Sequence, residues 1–173
     1  MQTWLPRPAV RGPLRHWLTA RGSLSERLRA ACSAGFRVQC LHQGLRLAWP
    51  DERVALRLAA HEPTLVREVL LFCGATPVVF ARSLAAASHL DGPWRALRGL
   101  GSRPLATMLF ADPRIARGML EYSRLDARKP LHRRAAAAAP VLAPESWARR
   151  SVFCRDRAPL LVTEVFLPGV LTL

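Results

Sequence analysis

Two apolar runs, LVREVLLF (65–72) and PVVFARSL (77–84), flank the four residues CGAT, and this pairing constrains the fold more than any other feature. A short turn between two β-rich runs specifies a hairpin. Both strands are apolar on both faces, so the sheet they join must be covered on both sides. Helices are the economical cover, and the middle of the chain has helical patterns to supply it. GPWRALRGLG and SRPLATMLF read as helical, and so does DPRIARGMLEYSRLD, with Asp112 as cap and Pro113 at its first position.

Further strands follow from alternation. Phe36, Val38 and Cys40 share one face of FRVQCLHQG; Leu45, Leu47 and Trp49 share one face of LRLAW; Val54, Leu56 and Leu58 repeat the pattern after PDE. SVFC, an RDRAP turn and LLVTEVFL close the chain as a second hairpin. Upstream, SLSE fits a capping box in which Ser23 caps and Glu26 reaches back, opening a helix to about Ala34. The expected architecture is α+β: an antiparallel sheet of about six strands with helices packed on it. Residues 1–22 read as an irregular arm ahead of one domain, 23–173. Residues 126–146 read as a low-complexity loop in which the five alanines allow one helical turn, while Pro140 and Pro144 oppose a long helix.

The chain carries a net charge of +14, and of its 26 basic residues only Lys129 is a lysine. The arginines are scattered and there is one Tyr for base stacking. That distribution reads as a background of Arg and Ala usage, with no nucleic-acid partner. Cys32, Cys40, Cys73 and Cys154 match no zinc or CxxC spacing, and the expectation is buried free thiols in a reducing compartment. The five histidines are isolated and read as surface or loop residues; no metal site is expected. No secretory signal and no run of about 18 apolar residues is present, so a cytoplasmic protein without membrane insertion is expected.

Three charges do not fit their surroundings. Arg67 shares a strand face with Leu65, Val69 and Leu71, and Glu164 shares one with Leu160, Val162 and Phe166. Counting back from the 73–76 turn, with Phe72 opposite Pro77, sets Arg67 opposite Arg82. Two like charges across a ladder repel, so an anion is required between them. It is either Glu164 or the carboxylate of a ligand; the alternative is that Arg67 pairs with Glu68 or Glu164 in a structural salt bridge and Arg82 reaches solvent at a strand end.

The motifs VREVLLF, FARS, LGSRPLATMLF, WARRS and LLVTEVFLP, in this order, resemble the chorismate pyruvate-lyase family from about Ser23 to the C-terminus. The resemblance implies an antiparallel sheet whose helical flaps cover an internal ligand cavity. It implies conversion of chorismate to 4-hydroxybenzoate and pyruvate, the first step toward ubiquinone in bacteria, without a cofactor and by a monomer. Carried over by position, the ligand contacts are Arg67, Leu105, Glu164 and, less closely matched, Leu24. Arg67, Arg82 and Glu164 are the implied catalytic set, with Arg82 on the enolpyruvyl carboxylate. The segment from about Arg128 to Ser146 is longer than the family pattern. The alternative is a non-catalytic effector-binding domain of the same fold, as in certain bacterial transcription regulators. The 22 residues ahead of Ser23 are too few for the winged-helix domain that usually precedes one.

Overall fold

The computed structural model describes residues 2–173. Its helices are α1 (Pro13–Thr19), α2 (Leu24–Ala31), α3 (Pro50–Leu56), α4 (Leu105–Ala111) and α5 (Pro130–Ala138). Its strands are β1 (Phe36–Leu47), β2 (Pro63–Cys73), β3 (Thr76–Ala86), β4 (Ala116–Arg117), β5 (Glu121–Asp126), β6 (Glu145–Arg155) and β7 (Ala158–Phe166). All pairings are antiparallel, in the order β1-β2-β3-β7-β6, with β4 and β5 sharing the outer edge of β6. The fold is α+β, with seven strands where the pattern predicts about six.

The central hairpin is covered on both faces, as its composition demands. On one face Val69, Leu71, Val79 and Phe166 pack with Trp17, Leu18 and Leu28 from α1 and α2. On the same face, Leu65, Ala85 and Leu160 pack with Trp94 and Leu109. On the other, Leu70, Phe72, Phe80 and Val165 pack with Leu131, Ala135 and Ala139 of the α5 segment.

Several expectations are corrected, each for a local reason. Residues 13–19 form a helix with Pro13 in its first turn, held because Trp17 and Leu18 are buried in the core. Residues 36–47 form one long strand with an irregularity between Cys40 and His42. Residues 50–56 form a helix, not a strand: Pro50 sits in its first turn and Glu52 Oε2 accepts the Trp49 N–H at 2.8 Å. Residues 112–126 supply strands. Asp112 does accept the Arg114 N–H, at 3.0 Å, but in a turn. Pairing with β6 then draws the chain out, and at Gly118 a side chain would press to 3.1 Å from the Val152 carbonyl. The first four residues of the alanine run, Ala135–Ala138, lie in the nine-residue helix α5, whose His132 is buried with Nε2 2.9 Å from the Ala143 carbonyl.

Two cysteines also depart from expectation. Phe36 pairs with Cys73, which brings Cys32 and Cys73 to a Cα separation of 5.5 Å, and the two form a disulfide. It ties the end of α2 to the end of β2. Cys40 and Cys154 are free and half-buried.

Candidate functional site

Residue alternation on three strands builds the floor of a cavity. Arg67, Val69 and Leu71 of β2, Ala81 and Ser83 of β3, and Val162 and Glu164 of β7 face the same side. The roof comes from residues 22–25, at the start of α2, and from residues 104–110, mostly α4. The cavity volume is about 50 Å³. Leu24, Arg67, Leu105 and Glu164 all line it. Arg82 does not.

The displacement of Arg82 has a single cause. Phe72 does pair with Pro77, but Leu71 pairs with Val79, leaving Val78 as an extra residue on β3. One inserted residue exchanges the faces of everything beyond it. Arg67 therefore opposes Ser83, and Arg82 opposes Glu68 on the far side of the sheet. There Arg82 Nε donates to Glu52 Oε1 at 2.7 Å, Nη2 to Glu52 Oε2 at 3.1 Å and Nη1 to Glu68 Oε1 at 2.7 Å. Arg134 Nε donates to the other oxygen of Glu68 at 2.7 Å, and the Trp49 ring lies 3.9 Å from the Arg82 guanidinium carbon. The anion required beside Arg82 is present, and it is protein.

Arg67 is in the opposite condition. It is only 3% exposed, and its Nη2 donates to two backbone carbonyls, Gly101 at 2.7 Å and Arg103 at 3.2 Å. Its Nε is buried without a partner, and no carboxylate lies within ion-pair distance among the described residues. Burial lowers its pKa from the ordinary arginine value, yet a guanidinium stays charged at neutral pH. An uncompensated buried cation costs several kcal/mol, which an anion brought into the cavity would offset.

Glu164 has a partner that the hairpin register makes obligatory. The two-residue turn Asp156–Arg157, both at positive φ, sets Arg149 directly opposite Glu164. Arg149 Nε donates to Glu164 Oε2 at 2.5 Å. Its Nη1 donates to the carbonyls of Trp17, Leu18 and Ala20 at 3.2, 3.2 and 2.8 Å, capping the C-terminal end of α1. Sequence reasoning missed Arg149, although counting back from the RDRAP turn would have found it.

It also missed Arg117, which reaches the cavity from β4. Arg117 Nε donates to Ser151 Oγ and Nη1 to the Gly22 carbonyl, both at 2.9 Å, and its guanidinium carbon lies 5.8 and 5.3 Å from the Phe110 and Phe153 rings. Desolvation lowers its pKa, partly offset by Glu164. Among the described residues no group of three or more His, Cys, Asp or Glu side chains is placed to hold a metal, and no helix is long and apolar enough to cross a membrane.

A partly covered, largely apolar cavity with two arginines and a carboxylate suits a small anionic molecule that also carries a hydroxyl. Solved structures share the fold. The PhnF protein of Mycobacterium smegmatis aligns with a TM-score of 0.60 at 15% identity, covering 87% of this chain and 66% of that one. The effector-binding domain of the Bacillus subtilis trehalose repressor aligns at 0.58 and 6% identity, covering 77% and 91%. At such identities the likeness extends to fold alone. Sequence relatives are far nearer. A protein of Nitrosospira multiformis named "Probable chorismate pyruvate-lyase" is 43% identical over 100% of this chain and 97% of its own length. One of Aromatoleum aromaticum bearing the same name is 49% identical over 99% and 95%. With the family model described as "Chorismate lyase" matching residues 2–172, this chain belongs to the chorismate lyase family.

Proposed function

We propose that the protein eliminates pyruvate from chorismate to leave 4-hydroxybenzoate, acting as a cytoplasmic monomer without a cofactor and supplying ubiquinone biosynthesis. The observation that carries this reading is the buried, carboxylate-free Arg67 facing the same chamber as Glu164. Their strands are separated by β3, which places their backbones about 10 Å apart across the sheet. That span accepts a six-membered ring with a carboxylate on one carbon and a hydroxyl on the opposite one.

The chemistry asks little of the protein beyond placement. The ether C–O bond at ring carbon 3 breaks, and its electron pair leaves on the enolpyruvate oxygen. The C–H bond at carbon 4, which bears the hydroxyl, supplies the pair that completes the aromatic ring. The released proton goes to the methylene carbon of the enolpyruvate, giving pyruvate. No external electron donor or acceptor enters this balance, and aromatisation supplies the driving force. Positioning contributes up to roughly 7–11 kcal/mol of barrier reduction, and general acid–base assistance roughly 10²- to 10⁴-fold.

In this scheme Arg67 holds the ring carboxylate through its free Nε and remaining donors. Glu164, its charge fixed by Arg149, accepts the hydroxyl at carbon 4 and relays the proton. Leu24 and Leu105 press on the ring and exclude water, which strengthens both polar contacts.

The fold shared with regulator domains sustains a second reading, in which the chamber binds a small effector without turning it over. One experiment separates the two. Purified protein is incubated with chorismate, and the aromatic product and pyruvate are quantified. Equal amounts of 4-hydroxybenzoate and pyruvate are expected. Release of a different hydroxybenzoate isomer would replace the stated specificity, and tight binding with no consumption would favour the effector reading.

A further inference from the structure

Chorismate carries two carboxylates, whereas the aromatic product carries one, and Arg67 can serve only the carboxylate common to both. The ionisable side chains lining the chamber are Arg67, Arg117 and Glu164, and the charge of Glu164 is already matched by Arg149. Two guanidiniums therefore face the chamber with no carboxylate of their own. A site of that charge complements a dianion.

Arg117 has the geometry of a waiting donor. Both its protein hydrogen bonds go to neutral acceptors, Ser151 Oγ and the Gly22 carbonyl, and Nη2 makes none among the described residues. The flanking Phe110 and Phe153 rings orient the guanidinium but leave its charge in place. Its contacts join the two covering segments, since Gly22 precedes α2 and Phe110 belongs to α4. Arg82, the other arginine considered for this task, is consumed by Glu52 and Glu68 on the opposite face.

We infer that Arg117 is the second anion anchor of the chamber: it takes the side-chain carboxylate of a dicarboxylate ring substrate and so distinguishes substrate from monocarboxylate product. The inference rests on the proposed reaction. When the ether bond breaks, the group held by Arg117 departs and the aromatic ring remains on Arg67 alone, so Arg117 binds what leaves and Arg67 binds what stays.

The test compares two affinities in one protein. Chorismate and 4-hydroxybenzoate are titrated into the wild type, Arg117→Ala and Arg117→Lys, with turnover followed in parallel. In Arg117→Ala, chorismate affinity and kcat/KM should fall about 10- to 100-fold while 4-hydroxybenzoate affinity stays within about threefold. Arg117→Lys, which keeps the charge but loses the paired donors, should fall between. Retained product affinity also reports that the variant has folded with its chamber intact. Equal losses for both ligands, or no loss for chorismate, would overturn the assignment of Arg117. A wild type that neither binds nor converts chorismate overturns the proposed reaction itself, and the anchor with it; binding without conversion leaves the affinity ratio to judge Arg117.

Discussion

The two faces of the central hairpin hold the same residue type in opposite states. On the far face, Arg82 meets two buried carboxylates through three hydrogen bonds, with Arg134 completing the group. On the near face, Arg67 is just as buried but its Nη2 finds only carbonyl oxygens, and its buried Nε finds no partner. The difference teaches that burial of an arginine says little about function until its counter-charge is located. Where the protein supplies the anion, the arginine belongs to the fold; where it does not, the arginine is a candidate to hold an anionic ligand.

Substitution should separate the faces cleanly. The largest effect is expected for Arg82→Ala, which leaves Glu52 and Glu68 buried without their shared partner. Unfolding in urea should show a loss of about 3–5 kcal/mol, with turnover per folded molecule close to wild type. A stable but inactive Arg82→Ala would break the comparison and return Arg82 to the reaction. Arg67→Ala should do the reverse, leaving stability equal to or above wild type because an uncompensated charge is removed. Its affinity for both chorismate and 4-hydroxybenzoate, measured by titration calorimetry, should drop about 100-fold or more, the worth of a paired charge-assisted contact. Glu164→Gln keeps shape and a hydrogen-bonding group but not the proton acceptor. Steady-state kinetics should show kcat reduced about 100-fold with product affinity changed only a few-fold.

How much of this was legible beforehand depends on how local each signal is. Arg67 and Glu164 stand out as charges inside apolar strands, and period-two alternation puts each on a definite face. Arg82 stands out equally, but its face hangs on Val78, an extra residue that nothing in CGATPVVF announces. Arg149 was within reach, since a two-residue turn fixes its register to Glu164. Arg117 was not. In DPRIARG it sits in a pattern that reads as helix, and only the pairing of β4 with β6 turns it toward the chamber. The same dependence on distant partners hid α1, whose Trp17 and Leu18 are ordered by the core they enter. The Cys32–Cys73 pairing was hidden likewise, because β1 and β2 bring its ends together.

The smallest expected effect tests the far face by protons alone. Burial pushes the Glu68 carboxyl up, but hydrogen bonds from Arg134 and Arg82, together with their charges, outweigh it and hold the pKa below its ordinary value of 4.5. A carboxylate whose folded pKa is depressed stabilises the protein at pH values above its unfolded pKa, and that contribution is lost as pH falls through the folded value. The difference in unfolding free energy between wild type and Glu68→Gln should therefore be constant from neutrality to about pH 5, then narrow toward more acidic solution. Denaturant titrations of the two proteins at a series of pH values measure it. A gap that widens on acidification would mean that burial wins at Glu68, and the far face would then hold its arginine less firmly than the bond lengths imply. Because Arg67 has no carboxylate to titrate, Arg67→Ala should show no such pH-dependent gap over the same range, which makes the near face the internal control.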